Sequence, residues 1–338
     1  MKKFLINVWN FIKKFPTLIA LMILIPSLAA SGVYLFSGEN LYANLYNPGN
    51  RINIVHETFE ITKIKPILKV MNISSFGNFQ GGTCYQNYYV LCSNNFECII
   101  IYDMETKKVE HTLYTNQTNT DYHCNTCFFG SDFYSAQDKF PILYISMENA
   151  PVHSTIGYRI YQRGTSLEIV EVCRLVLTYD TGYTLYYPNS YYDYSNNMLY
   201  YGGYTKNSYR KSNDNKLEYH VFALPDYRLG TVELKLSESF DHFTLDSETA
   251  TQGGFISDGY LYETFSFHNK NDAANAPKFR LVDLREKKII KEYSNLGEQF
   301  GYYDEFENIA ISMDGHLYAH GNYTTRLYEF EYKGDLAK

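Results

Sequence analysis

TQGGFISDGYLYETFSFHNKNDAANAPKFRLVDLREKKIIKEYSN, residues 251–295, holds four short β-rich runs separated by turn signals. TQGGFIS and YLYETFSF flank Asp258-Gly259, a dipeptide suited to the positive φ angles of a tight hairpin. KFRLVDL and KIIKEYS flank Arg285-Glu286-Lys287. The stretch reads as one four-stranded antiparallel unit.

The unit recurs at residues 79–115, FQGGTCYQNYYVLCSNNFECIIIYDMETKKVEHTLYT. Gln80-Gly81-Gly82 matches Gln252-Gly253-Gly254 at an offset of 172, and Asp103 with Lys107-Lys108 matches Asp283 with Lys287-Lys288 at an offset of 180. The difference of eight residues equals a polar insertion the length of Asn269 to Ala276, a hairpin loop that has grown. Four short strands repeating every 40–60 residues or so are the signature of propeller blades. Inner strands are expected to begin near residues 80, 123, 187, 251 and 305. That predicts five blades, or six if the long second or third blade hides another repeat. LEYHVFAL and TVELKLS are read as completing the third blade. The last segment, residues 306–333, supplies only three strands, so the strand at 52–61 is predicted to complete the final blade and remove its free edge.

Composition agrees with an all-β propeller over residues 52–338. The chain has 35 Tyr and 22 Phe, residues at home on pleated, half-buried surfaces. Its single Trp, Trp9, lies near the N-terminus. Residues 1–38 form a signal peptide or signal anchor: Lys2, Lys3, Lys13 and Lys14 precede 24 uncharged residues from Phe15 to Gly38, expected as a hydrophobic helix. Residues 39–51 read as a linker. The four lysines keep the N-terminus cytoplasmic and send the remainder across, giving an exported or membrane-anchored domain. Beyond the leader, 26 basic residues face 37 acidic ones, a net charge of −11, which disfavours nucleic acid and anionic membrane surfaces as partners. The leader remains the membrane contact if it is not cleaved.

Side chains at the starts of inner strands meet at the mouth of a propeller's axial channel. Here these are Gln80, His123, Asn125, Asn189, Gln252, Glu305 and Glu307. His123 and Glu307 are the acid/base candidates, and Glu307 with neighbouring amide oxygens has the character of a Ca²⁺ site. No nucleophile elbow, Walker A, H-E-x-x-H or dinucleotide fingerprint occurs. The residues favour a non-catalytic module binding a small molecule, glycan or protein, without cofactor; its mark would be an exposed tyrosine cluster, with Tyr186-Tyr187, Tyr191-Tyr192 and Tyr200-Tyr201 the obvious source. The alternative is a hydrolase, lactonase or cyclotransferase with a bound cation. Six cysteines follow the leader. Cys92 and Cys98 flank Ser93–Glu97 and are candidates for a disulfide across a hairpin; burial as free thiols is the other reading, and Cys124/Cys127 lack partners for zinc.

TQGGFISDGYLYETFSF…KFRLVDLREKKII resembles the TQG…LYES…VDL pattern of plant- and bacterial-type glutaminyl cyclotransferases, which implies a five-bladed propeller. That family carries its catalytic Glu in a second-blade F-x-E-G context, where this chain has His123-Cys124-Asn125. FENIAISMDGHLYAHG, residues 306–321, is similar to a blade opening of gluconolactonase-like and NHL propellers. HCNTCFFGSDFYSAQDKFPILYIS, residues 123–146, is similar to a blade of exported propellers of gut Bacteroidetes, which implies the fold and an extracytoplasmic address.

Overall fold

The sequence repeat is a structural one. In the computed structural model, Thr251–Ser257 (β15), Tyr260–Phe265 (β16), Lys278–Asp283 (β17) and Lys288–Tyr293 (β18) form a four-stranded antiparallel sheet, as do Phe79–Tyr85 (β2), Tyr88–Ser93 (β3), Cys98–Asp103 (β4) and Lys108–Tyr114 (β5). The turns match too. Asp258 and Gly259 have φ of 51° and 77°, the pair required by the tightest hairpin. Asp103 and Asp283 each accept two backbone N–H groups of the following turn, and that turn ends in Lys107 or Lys287 at φ near 55°.

The structure describes residues 59–69, 79–115, 123–147, 153–180, 182–208, 214–246, 250–266, 277–294, 296–300, 304–312, 314–322 and 324–334. The leader, the linker and most of the predicted strand 52–61 lie outside them. No helix among the described residues is long and apolar enough to cross a membrane.

Five sheets result, each beginning within a residue of its predicted start. The second is Cys124–Phe129 (β6), Leu143–Met147 (β7), Ser154–Arg163 (β8) and Ser166–Thr178 (β9); the third is Tyr186–Asp193 (β10), Met198–Tyr204 (β11), Lys216–Ala223 (β12) and Asp241–Asp246 (β14); the fifth contains Phe306–Ile311 (β19), Leu317–Gly321 (β20) and Arg326–Lys333 (β21). The protein is a five-bladed propeller.

Two strands sit elsewhere than the sequence predicts. TVELKLS does not complete the third blade. Thr231–Lys235 (β13) runs parallel to β9 as a fifth strand of the second blade, and β14 takes the outer place in the third. β9 is 13 residues long and needs its outer edge covered. The closing strand is Glu60–Lys69 (β1), shifted from 52–61, and it pairs antiparallel with β21. Pro66 lies within β1. As the outermost strand of its blade, β1 has no further ladder for Pro66 to interrupt.

Apolar alternation on both faces of each blade packs the ring. Along β3, Tyr88, Val90 and Cys92 face the second blade, while Tyr89 and Leu91 face the fifth. Five buried clusters result, one at each interface, the fifth-to-first included. The Gln-Gly-Gly repeat has a steric reason. A Cβ on Gly82 would stand 2.5 Å from the Tyr89 hydroxyl and 3.0 Å from His320 Nδ1, and one on Gly254 would strike the Tyr262 carbonyl. Between the third and fourth blades lies an ion pair with almost no exposure. Arg280 (β17) meets Glu263, its cross-strand partner on β16, at 2.8 Å.

All six cysteines are buried and free, so the disulfide expected between Cys92 and Cys98 does not form. Strand parity forbids it. Cys98 stands beside Ser93, one residue beyond Cys92, and the two thiols enter different interfaces. Cys92 instead contacts Cys127, which with burial pushes its thiol well up; burial alone does most of the same for Cys84 and Cys124. Ellman's reagent should therefore find no reactive thiol in the native protein and six after denaturation, with or without prior reductant.

Candidate axial binding site

Each inner strand departs from regular pairing at its start. The ladder skips residues between Phe79 and Gly82, Cys124 and Cys127, Tyr186 and Asn189, Thr251 and Gly253, and Phe306 and Asn308. A bulge leaves residues unpaired and re-aims their side chains. Gln80, Asn125, Gln252 and Glu307 lie within the bulges and Asn189 closes the fifth, one from each blade. All are buried. β6 also touches β15 and β19, which are not its neighbours in the ring, so the inner strands come together across a narrow axis.

Hydrogen bonds tie these side chains together. Asn125 Nδ2 and Asn189 Nδ2 both donate to the Thr251 carbonyl, each at 3.4 Å. Gln252 Nε2 donates to Glu305 Oε1 at 2.9 Å and to the Ser266 carbonyl of its own blade at 2.9 Å. Asn322, not nominated by the sequence, donates to Glu305 Oε2 at 3.1 Å. Glu305 is thus fully engaged with its neighbours.

Glu307 is different. It has 0% exposure, and neither carboxylate oxygen has a partner in hydrogen-bond geometry. Asn322 and Glu305 lie close enough to influence its ionisation without completing such a bond. Burial first, then the charge of Glu305, pushes its carboxyl well above the usual range. The Oε1 of Gln80 and the Oδ1 atoms of Asn125, Asn189 and Asn322 are also buried without a partner. Orphaned buried polar atoms are rare and call for a reason.

Three residues further along each inner strand the character changes. Thr83, Phe128, Tyr192, Phe255 and Ala310, again one per blade, line a small cavity of about 30 Å³. The axis is therefore polar at the strand starts and mainly apolar beyond.

His123 stands at the rim, one residue before β6, and is half-buried. Burial depresses its imidazole to about 4. It is neutral at physiological pH and too weak a base for proton abstraction there. Nor do the paired tyrosines make an exposed cluster: Tyr191, Tyr192 and Tyr201 are buried, and Tyr186, Tyr187 and Tyr200 are half-buried in the interfaces. His320 Nδ1 lies 3.2 Å from the Tyr89 hydroxyl, and burial holds this imidazole also at about 4. A depressed histidine pKa means that, between about pH 6.5 and 4, the unfolded chain takes up a proton that the native one refuses. Stability should fall as pH drops through that window, by up to about 3 kcal/mol for His320. Urea midpoints across pH should show the slope, and His320→Asn should flatten it.

No family model matches the chain, and no curated protein does. Among solved structures, it is similar to the glutaminyl cyclase of Myxococcus xanthus, with a TM-score of 0.44 and 10% identity over 82% of this chain and 97% of that one. It is also similar to a glucose dehydrogenase, with a TM-score of 0.47 and 9% identity over 79% and 99%, and to the hydrazine synthase of Kuenenia stuttgartiensis, with a TM-score of 0.39 and 8% identity over 77% and 84%. These are likenesses of fold.

Proposed function

We propose that this propeller is a non-catalytic binding module that takes its ligand at the polar end of the axis. The supporting observation is the set of buried amide and carboxylate oxygens that four of the five bulged strands bring there without partners. Amides neither attack nor titrate; they recognise. Of the two acid/base candidates, His123 is set against proton transfer near neutrality, its imidazole depressed by burial. The leader supports a working place outside the cytoplasmic membrane, where an acidic domain would meet small polar molecules.

The test compares binding with turnover. Thermal shift against cations, sugars and amino acids should identify a stabilising class whose effect is lost in Asn189→Leu. The same preparation should turn over neither lactones nor peptides with N-terminal glutamine. Turnover that disappears in Glu307→Gln would replace the binding reading with the enzymatic one.

A further inference from the structure

The unpartnered atoms at the axial end share one property: all are side-chain oxygens, acceptors throughout once Glu307 is ionised. Gln80 Oε1, Asn125 Oδ1, Asn189 Oδ1 and both oxygens of Glu307 are buried without a donor. The orientation of the two asparagines is not arbitrary. The Thr251 carbonyl can only accept, so each amide nitrogen must face it, and each Oδ1 is turned the other way. Reversing either amide would set oxygen against oxygen. Nearby donors are largely committed: Gln252 gives one N–H to Glu305 and the other to the Ser266 carbonyl, and Asn322 gives one to Glu305.

A group of buried oxygens gathered about one axis, with few donors to meet them, matches a species that is positive on every side. A water molecule offers two hydrogens and leaves most of the group unmet. Sulfur is also missing, since the nearby Cys127 thiol lies in the first–second blade interface. The geometry points to a hard divalent cation, Ca²⁺ in particular, held by Gln80, Asn125, Asn189 and Glu307. Three amide oxygens and one bidentate carboxylate give five ligands. Ca²⁺ takes roughly six to eight, so one to three positions stay open for water or for oxygens of the ligand. Mg²⁺ demands tighter octahedral geometry and Zn²⁺ prefers nitrogen and sulfur, so both fit less well. This deepens the binding reading and rests on it.

The experiment is calorimetric titration and thermal shift of the full chain in detergent, first stripped with EDTA, then given CaCl₂, MgCl₂ or ZnCl₂. Elemental analysis supplies the stoichiometry. The expected result is one Ca²⁺ per chain, a raised melting temperature that EDTA reverses, and a weaker response to Mg²⁺. Glu307→Gln keeps the shape and removes the charge. It should melt no lower than the stripped wild type, yet lose Ca²⁺ affinity at least tenfold, about 1.4 kcal/mol. A purely structural Glu307 would instead lower the melt of the stripped protein and leave the Ca²⁺ response untouched. Failure of millimolar Ca²⁺ to bind the folded wild type overturns the cation assignment. If a sugar or amino acid nonetheless stabilises the wild type and not Asn189→Leu, the axial binding site stands without the cation. If nothing binds, both readings fall.

Discussion

Replacing Arg280 by Ala should cost about 3–5 kcal/mol, the usual penalty for removing one partner of a buried ion pair. Arg280 and Glu263 have 1% and 0% side-chain exposure. Arg280 donates through Nε and Nη2 to Glu263 Oε2, through Nη2 to the Tyr219 hydroxyl at 3.1 Å, and through Nη1 to the Asp246 carbonyl at 3.1 Å. Tyr219 in turn donates to Glu263 Oε1 at 2.6 Å, and the guanidinium lies 4.5 Å from the centre of the Phe265 ring. Burial opposes the charge on Arg280, yet Glu263 and Tyr219 together hold its pKa above the ordinary value. Since Tyr219 and Asp246 belong to the third blade and Glu263 to the fourth, truncation leaves a bare carboxylate at a blade interface. At about 2–4 °C per kcal/mol for a domain of this size, the melting temperature should drop by roughly 10 °C in differential scanning calorimetry. The double variant Arg280→Met with Glu263→Leu removes both charges and should recover most of the loss, because an apolar replacement avoids the desolvation cost. A single variant that melts with the wild type would show that water reaches the pair.

The sequence contained the signal for this pair. Glu263 and Arg280 are the lone charges in the interiors of two otherwise apolar, adjacent strands, and a hairpin register places them opposite each other. Other features were legible for related reasons. Period-two alternation and Asp-based turns located the starts of all five inner strands, because those signals are local. What escaped was not local. A bulge depends on how a neighbouring strand pairs, so the sequence could nominate Gln80, Asn125, Asn189, Gln252 and Glu307 for the axis but could not show which oxygens would lack donors. β13 joined the second blade because the long β9 offered an open edge, a property of the assembled sheet. Cys92 and Cys98 looked close because the chain between them turns, yet the side on which each thiol emerges follows from register. Asn322 had no mark as a site residue, since its contact with Glu305 follows from the pairing of β19 with β20, next to Phe306↔Gly321.

Deleting residues 1–74 should abolish cooperative folding, the largest effect expected for this chain. β1 makes eight register pairs with β21, from Glu60↔Lys333 to Lys69↔Arg326, and thereby joins the two ends of the propeller. Without it, β21 becomes an unpaired outer strand that can recruit another chain. The loss is also one of packing. Phe59, just ahead of β1, has no exposure, and its ring stands 5.2–6.5 Å from those of Tyr332, Tyr262, Phe279 and Tyr293. Its carbonyl accepts the Tyr293 hydroxyl at 2.7 Å. Ile61 and Ile64 enter the same cluster between the fourth and fifth blades. Phe59→Ala isolates this packing contribution, because it leaves the ladder whole; it should cost about 3–5 kcal/mol. The truncated chain should be recovered as aggregate, or melt without a sharp transition in calorimetry. Because these contacts join residues more than 250 positions apart, ring closure also delays folding until most of the chain is available. Supplying a peptide of residues 55–72 during refolding of the truncated chain should restore a cooperative melt, since the missing strand adds only at an edge. If the truncated chain melts sharply within a few degrees of the wild type, the packing between blades holds the ring without its clasp.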